Sequence, residues 1–322
     1  LDVARGPRPD AVAGARPPPL EGGVGRVGPV FRPNRRRPPA VLADDGLAGL
    51  GQDAPAGHGP ADPPSGISAP QFLPDDLAQR EKWEDFLGTA EVVGSKQLTG
   101  SEAVTSPWVL TLKKGDVTHR ALWKNAQGRM GGFWEGWNYE IAAYLLDKHL
   151  GLGLVPPTVE RRFQENRGSC QYWVDDCMSL RDREQKKIKM PLAKVFNWNR
   201  ATYLQRLWDN LIANEDRHMN QILITPDWRM ILIDHSRSFR TSARFTKGLL
   251  YTANSPQGPK LMSELPRAVV DKVKALDFAA IRSAVGDTLS DDEINAVLIR
   301  RELILKEIDR LIKATGENKV FY

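Results

Sequence analysis

The sequence predicts an α+β protein in which a small β-rich half precedes a larger helical half, with a cleft between two lobes. Short β-prone segments dominate from residue 80 to about residue 174, and helical periodicity dominates after residue 200. The first 70 residues are different, because they hold 14 of the 23 prolines and 12 of the 27 glycines. Such a composition cannot bury enough apolar surface to offset its ordering entropy, so we expect residues 1–79 to form a disordered tail.

The β-rich half is predicted from short segments rich in β-branched and aromatic residues. They are Ala90–Val93, Trp108–Lys113, Arg120–Lys124, Thr158–Phe163 and Cys170–Val174. The turn signal Gly115-Asp116 predicts a hairpin between the second and third segments. The polar residues 165–168 predict a second turn between the last two.

Three helices are predicted from apolar spacing and capping signals. Tyr139–Leu150 has the pattern of an amphipathic helix, and Leu204–Ile212 has apolar residues at helical intervals. The sequence Ser290-Asp291-Asp292-Glu293 fits a capping box at the start of a long apolar-faced helix.

Composition excludes several classes of protein. Two cysteines, Cys170 and Cys177, are too few for a disulfide framework or a four-cysteine metal site, so we expect a cytoplasmic protein. No apolar run approaches the roughly 18–20 residues of a membrane span. The net charge of +5 suggests an anionic partner, but the first 80 residues contribute nine arginines and nine acids. We therefore expect no nucleic-acid partner, because a tail without net charge adds little salt-dependent affinity.

The strongest chemical signal is a pair of aspartates that follow apolar segments. Asp216 lies in a polar cluster after the Leu204–Ile212 helix, and Asp234 ends a second apolar segment after the turn Pro226-Asp227. A hairpin at this turn would bring both carboxylates to the same end. Near a phosphate, one carboxylate can orient or deprotonate a hydroxyl while the other holds a magnesium ion.

Asp216-Arg217-His218, with Asp234 eighteen positions after Asp216, resembles the catalytic and metal-binding loops of the protein-kinase-like superfamily. The likeness is to its atypical branch, which contains the phosphatidylinositol 3- and 4-kinases, the secretory-pathway Golgi kinases and the HipA-type kinases. Residues 121–124, 137–144 and 168–174 resemble, in order, the lysine strand, the glutamate helix and the strand that enters the hinge. The resemblance implies a two-lobed kinase-like fold, with an N-lobe at 80–176 and a C-lobe at 177–322.

The resemblance also implies site residues, with ATP and Mg²⁺ or Mn²⁺ as cofactors. For the nucleotide they are Lys124, its ion-pair partner Glu140, the loop residues Gly100 and Ser101, and the hinge residues Trp173, Val174 and Asp175. Gly94 would begin that loop. For catalysis they are Asp216 and His218, where His218 shapes the loop or shuttles a proton. For the metal they are Asp234 and the amides Gln221 and Asn220, Gln221 standing where the lipid kinases have an asparagine.

The acceptor is a hydroxyl of a protein, a lipid headgroup or a small molecule, and the sequence leaves these open. Two stretches of charge +4, residues 181–194 and 235–248, are interpreted either as solvated faces or as surfaces that steer an acidic acceptor. In the second stretch, Arg237, Arg240 and Arg244 are the acceptor-side candidates. Two further hypotheses are AMP transfer in the same cleft and a nucleotide-binding scaffold without turnover.

Overall fold

The computed structural model of this chain describes residues 78–99, 105–255 and 262–322. Residues 1–77, which form most of the predicted tail, and the predicted phosphate-loop residues Gly100 and Ser101 lie outside the described residues. In the described part, no helix combines the length and the apolarity that a bilayer span requires.

The N-lobe begins with helix α1 (Arg80–Thr89) and is otherwise built from strands and one long helix, α2 (Trp137–Leu150). Its strands are β1 (Glu91–Gln97), β2 (Trp108–Lys114), β3 (Val117–Lys124), β4 (Gln127–Met130), β5 (Phe133–Gly136), β6 (Thr158–Phe163) and β7 (Asn166–Tyr172). Five of them form an antiparallel sheet in the order β1-β2-β3-β7-β6, and β4 and β5 form a separate hairpin. Alternate residues of β2 and β3, among them Leu110, Leu112 and Trp123, pack with Phe86 and Leu87 of α1 in a small core.

The C-lobe is mainly helical and carries three very short strands. Its elements in chain order are β8 (Met178–Ser179), α3 (Leu180–Gln185), α4 (Leu192–Ile212), a 3₁₀ turn (Met219–Gln221), β9 (Ile222–Ile224), β10 (Met230–Leu232), α5 (Ala243–Thr246), α6 (Arg267–Ala275), α7 (Phe278–Val285) and α8 (Asp291–Thr315). The strands pair antiparallel in the order β10-β9-β8. The main core lies here, where α4 residues such as Trp208 and Leu211 meet Ile304 and Ile308 of α8.

Helix α2 lies between the two lobes, and this position explains its burial. It packs against β6 and β7 of the sheet and against α7 of the C-lobe. The predicted amphipathic pattern accounts for Ile141, Tyr144 and Leu150, but Leu146 and the charged Asp147 are also fully buried. The helix ends where Gly151 adopts a left-handed φ of 70°, which glycine tolerates without steric cost.

The predicted hairpins and the predicted capping box are confirmed. Lys114 pairs with Val117 across the turn Gly115-Asp116, and β9 pairs with β10 across the Pro226-Asp227 turn. At the start of α8, Ser290 Oγ accepts from the Glu293 N–H at 3.3 Å, and Glu293 Oε2 accepts from the Ser290 N–H at 2.8 Å.

Two predicted elements are displaced in the structure. Strand β7 begins at Asn166 rather than Cys170, because Gln164 and Glu165 take left-handed φ values of 48° and 66° and form a tight turn that pairs Phe163 with Asn166. Gly94, expected at the start of the phosphate loop, lies inside β1, where the strand register shifts by one residue.

Candidate active site

A buried lysine lies between two carboxylates that come from different lobes. Lys124 ends β3, Glu140 lies in the first turn of α2, and Asp234 follows β10. Lys124 Nζ is 2.7 Å from Glu140 Oε1 and 2.6 Å from Asp234 Oδ1. Lys124 is 7% exposed and Glu140 is 2% exposed. The three side chains therefore join the sheet, α2 and the β10 loop at one point.

The three groups keep one another charged. Burial favours the neutral amine, but Asp234 and Glu140 outweigh it and raise the pKa of Lys124 above its ordinary value. Burial also disfavours the two carboxylates, and the Lys124 ammonium reverses this effect, so the pKa of Glu140 and that of Asp234 both lie below their ordinary values. The lysine can therefore hold its charge in a site that excludes most solvent.

Asp216 and Asp234 face the same amide group. Gln221 Nε2 lies 3.2 Å from Asp234 Oδ2 and 3.5 Å from Asp216 Oδ2. Asn214 begins the loop and fixes it, because its Oδ1 accepts from the Asp216 N–H at 3.2 Å. The β9–β10 hairpin thus brings both aspartates to one end, as the spacing predicts.

The predicted second metal ligand, Gln221, has an orientation set by the loop itself. Its Oε1 accepts from the His218 N–H at 3.3 Å, so its amino group is the part that faces the carboxylates. His218 Nδ1 in turn accepts from the Asn220 N–H at 3.3 Å and caps the 3₁₀ turn. His218 therefore shapes the loop through its backbone and one ring nitrogen.

Arg217 connects the loop that carries Asp216 with the loop that carries Asp234. Its guanidinium forms a two-point ion pair with buried Asp209, with N···O distances of 3.0 Å. It also donates to the Ile233 carbonyl at 2.6 Å and to the Gln221 carbonyl at 3.2 Å. An arginine with this many fixed acceptors is a rigid connector between the two loops.

His235 occupies a fully buried position beside this connector. Arg217 Nη2 lies 3.0 Å from His235 Nε2, and Trp208 Nε1 lies 3.5 Å from the same atom. Because arginine and tryptophan can only donate, Nε2 is the acceptor and the ring proton is on Nδ1. Burial favours this neutral ring and lowers the pKa of His235 below its ordinary value.

Two arginines clamp the β4–β5 hairpin to the loop that carries Asp216. Arg237 Nε donates to Glu135 of β5 at 2.6 Å, and its Nη1 lies 3.2 Å from Asp216 Oδ2. Arg240 repeats the arrangement, because its Nε donates to Glu215 at 2.7 Å and its Nη2 donates to the Trp134 carbonyl at 2.5 Å. We call Arg237 and Arg240 with these contacts the arginine clamp.

The clamp changes the interpretation of the predicted acceptor-side arginines. The side chains of Arg237 and Arg240 are 15% and 11% exposed and are already paired. Arg244 is different, because its side chain is 73% exposed and lies 3.8 Å from Glu215. Of the three, Arg244 has the exposure that contact with an acceptor requires.

The hinge residues meet a separate cavity. Val174 and Asp175 line a space of about 190 Å³ together with Thr225, Pro226 and Ile231. The Trp173 N–H donates to the Arg120 carbonyl at 3.2 Å, and the Trp173 carbonyl lies 2.9 Å from His119 Nε2. The backbone N–H and carbonyl of Trp173 are therefore both hydrogen-bonded within the chain.

The main cavity, of about 510 Å³, contains the predicted catalytic and metal residues. It is lined by Thr105, Glu135, Arg181, Asp216, His218, Asn220, Gln221, Ile233, Asp234, Ser236 and Arg237. Within the described residues no set of three or more His, Cys, Asp or Glu side chains is arranged to hold a metal ion. The carboxylates of Asp216 and Asp234 in this lining suit a cation that keeps phosphate oxygens and waters as further ligands, as Mg²⁺ does.

The charge of this cavity fits such a cation. Glu135 is 1% exposed, and its Oε2 atom has no hydrogen-bond partner among the described residues. Together with Asp216 and Asp234, Glu135 gives the cavity three carboxylates. A buried acceptor without a donor favours a bound cation or a polar ligand.

Three residues of the site, Glu135, Arg217 and Ser236, have no role among the predictions from the sequence. Ser236 donates from Oγ to Asp234 Oδ1 at 3.1 Å. Glu135 belongs to the β4–β5 hairpin, whose two-residue turn is Gly131-Gly132. A Gly-Gly pair is a recognised hairpin signal and would have revealed the hairpin.

The fold is the two-lobed fold of atypical kinases, as comparison with solved structures shows. The described features match a hydra Fam20 structure with sugar, with a TM-score of 0.56 and 14% identity over 80% of this chain and 95% of that chain. They also match the Golgi casein kinase, with a TM-score of 0.55 and 14% identity over 79% of each chain. The structure of the Golgi casein kinase with Mn/ADP bound matches with a TM-score of 0.55 and 14% identity, over 79% of this chain and 80% of that chain.

Sequence comparison adds no closer relative. No protein-family model matches this chain, and no curated protein matches it. The solved structures support the predicted resemblance to the Golgi kinases at the level of fold. The likeness to lipid kinases and to HipA-type kinases stays a prediction.

Proposed function

We propose that this protein is an atypical kinase that transfers the γ-phosphoryl group of ATP to a hydroxyl acceptor with Mg²⁺ or Mn²⁺. The observation that carries the proposal is Lys124 held between Glu140 and Asp234 at 2.7 and 2.6 Å. The solved structure of the Golgi casein kinase with Mn/ADP, whose fold this chain shares, supports the choice of cofactors. The cytoplasmic location expected from the cysteine content stays a prediction.

The residues divide the work in the manner of phosphoryl transfer, which depends on positioning and electrostatics. Lys124, fixed by Glu140, holds the α- and β-phosphates. Asp234 with Asn220 would hold the cation, which when bound neutralises phosphate charge. Gln221 would join them only with its amide turned, because its amino group now faces the carboxylates. Asp216 orients or deprotonates the acceptor hydroxyl, and Arg237 fixes the position of the Asp216 carboxylate. His218 keeps the loop in shape.

The proposal is tested with ATP labelled at the γ- or the α-phosphate, Mg²⁺ or Mn²⁺ and a cell lysate. We expect γ-label to be transferred, and Asp216→Asn to lower transfer by about a thousandfold while ATP binding persists. Lys124→Met should weaken ATP binding. The Lys313→Met variant, in the last turn of α8, controls for loss of a lysine away from the cleft.

The outcomes separate the three hypotheses. Transfer of α-label instead of γ-label would establish AMP transfer. A thermal shift with Mg-ATP but no transfer of either label would establish a nucleotide-binding scaffold. Full transfer by both variants would overturn the site assignment.

A further inference from the structure

Exposed apolar side chains are concentrated in one short segment at the start of α4. Ile188, Leu192, Val195 and Phe196 are 36%, 91%, 38% and 53% exposed. Leu192, Val195 and Phe196 are three and four positions apart, so they share one side of the first helical turn. We call these four residues, with the neighbouring lysines 186, 187, 189 and 194, the lysine–apolar patch.

The patch lies beyond the packed core of the C-lobe. The buried residues of α4 begin at Ala201, so residues 192–200 extend about 13 Å past the buried part of the helix. Among these residues Trp198, which is partly buried, packs against the core, so the helix end contributes little to it. Its apolar side chains are not explained by the folding of this lobe, and exposed apolar clusters of this kind mark interaction sites.

The charges around the patch are largely unpaired. Lys186 lies 3.9 Å from Asp182, both of them exposed. Lys187, Lys189 and Lys194 make no ion pair within the described part of the chain. The segment 181–194 therefore presents most of its +4 charge to solvent, and its partner should be anionic.

The patch is connected to the main cavity. Arg181, at the start of α3, lines that cavity, and α3 packs against the 3₁₀ turn Met219–Gln221. Met219 of this turn is a further apolar side chain that is 43% exposed. A surface that binds the patch would therefore lie close to the opening of the cavity.

A bilayer fits this geometry better than a polypeptide does. Peptide recognition by a helix needs a groove that encloses the anchor side chains, and a leucine that is 91% exposed lies in no groove. A bilayer accepts apolar side chains that project from a helix, while lysines reach the lipid phosphates. Anionic lipids attract basic residues by about 1 kcal/mol for each lysine near the surface.

We propose that the lysine–apolar patch binds the surface of membranes that contain anionic lipids and places the main cavity next to that surface. The proposal goes beyond the proposed function and does not depend on it, because binding is measured without catalysis. Attachment would be peripheral and reversible, since one short apolar face with a few lysines gives modest membrane affinity.

The test is co-sedimentation of the full chain with phosphatidylcholine vesicles and with vesicles that also contain phosphatidylserine. We expect binding to the anionic vesicles that weakens as salt is added. The double variant Leu192→Ser/Phe196→Ser keeps every charge and should bind at least about tenfold more weakly. A variant that keeps every charge is needed because the eight arginines of residues 1–40 could attract anionic lipid by charge alone.

Two further variants complete the design. Lys187→Gln/Lys189→Gln should weaken binding to the anionic vesicles by about tenfold. Ile299→Ser removes an apolar side chain that is 45% exposed on α8 and should bind like the wild type. Circular dichroism melts check that each variant is folded.

Three results would overturn the proposal. The first is a wild-type chain that sediments with neither kind of vesicle. The second is a Leu192→Ser/Phe196→Ser variant that is folded and binds like the wild type. The third is binding to a polyglutamate peptide without binding to vesicles, which would assign the patch to an acidic polypeptide.

Discussion

The segments 181–194 and 235–248 carry the same formal charge of +4, but their surroundings differ. In the second segment, Arg237 and Arg240 are paired with Glu135, Asp216 and Glu215, and their side chains are mostly buried. In the first, Lys187, Lys189 and Lys194 make no ion pair among the described residues. Net charge along the chain therefore does not reveal which arginines or lysines are available to a ligand.

The difference follows from where the carboxylates lie. The acids that pair with 235–248 come from β5 and from the loop after α4, which are distant in sequence and adjacent in space. The segment 181–194 itself holds two acids, Asp182 and Glu184, against six basic residues. The arginines of 235–248 that pair with the acids from β5 and from the loop after α4 are thus part of the site, whereas the lysines of 181–194 remain on the surface.

Among the changes that compare the two segments, the largest expected effect is at Arg237. Its replacement in Arg237→Ala releases Asp216 and leaves Glu135 buried without its partner, so we expect phosphoryl transfer to fall by about a hundredfold. ATP binding should change little, because among the described residues Arg237 pairs with Glu135 and Asp216 and takes no part in the Lys124–Glu140 ion pair. Steady-state kinetics and a nucleotide-binding titration measure the two effects.

Arg244→Ala is the matched control, since Arg244 belongs to the same segment but is 73% exposed. It should keep kcat and raise only the KM of an acidic acceptor, through lost steering. Equal losses of kcat in Arg237→Ala and Arg244→Ala would contradict the claim that Arg237 acts in the arginine clamp while Arg244 lies on the surface.

The second effect is on stability and concerns Arg240 and Glu215. Both side chains are largely buried, so Arg240→Ala or Glu215→Ala should each destabilise the fold by about 2–4 kcal/mol. A double-mutant cycle in urea should give a coupling energy of about 1–3 kcal/mol. The exposed pair Arg267 and Glu317 serves as comparison and should couple by less than about 0.5 kcal/mol. A coupling that small for Arg240 and Glu215 would contradict the clamp.

The third effect is a dependence of the free energy of unfolding on pH, caused by His235 in the segment 235–248. Because the pKa of His235 is lowered in the folded state, the unfolded chain binds the proton first as pH falls below about 6.5. Stability should therefore drop by about 1 kcal/mol between pH 7.5 and pH 5.5 on account of this group. The pKa of Asp147, which burial raises to about 6, acts in the opposite direction.

Comparison with His235→Gln separates the two groups, because Asp147 is common to both proteins. Urea unfolding at pH 7.5 and pH 5.5 should show that the free energy of unfolding falls less in the variant than in the wild type. Identical pH dependence in both proteins would mean that His235 does not carry the effect.

The smallest effect is expected at the unpaired lysines. Lys187→Gln/Lys189→Gln removes two charges without partners, so the free energy of unfolding should stay within about 0.5 kcal/mol of the wild type. Transfer to a soluble acceptor should also be unchanged. A clear loss of stability in thermal melts would mean that these lysines are as tightly bound as the clamp arginines.

The order of the predicted strands and helices follows from the sequence, because it depends on local signals. The turn at Gly115-Asp116, the capping box at Ser290 and the interval from Asp216 to Asp234 each fix a local structure. The pairing of Lys124 with Glu140 came from the resemblance to kinases, and the structure brings the two side chains together.

The clamp could not be predicted in the same way. Arg237 and Glu135 are 102 positions apart, and Glu135 lies on a hairpin of only four residues in each strand. No periodicity links an exposed-looking arginine to a distant buried acid. Its partners become visible only when the chain has folded.

Arg300 of α8 adds a constraint on how this chain is made. It is 1% exposed, and it donates to the Leu211 carbonyl at 2.8 Å and to the Arg240 carbonyl at 2.6 Å. Burial lowers the pKa of Arg300 to about 9. During synthesis, α4 and the clamp segment emerge from the ribosome before α8 does. Until α8 has been made, the end of α4 and the backbone at Arg240 lack the donor that fixes them. The nascent chain can therefore form its N-lobe early, but its catalytic loops should become ordered only after translation has passed this last long helix.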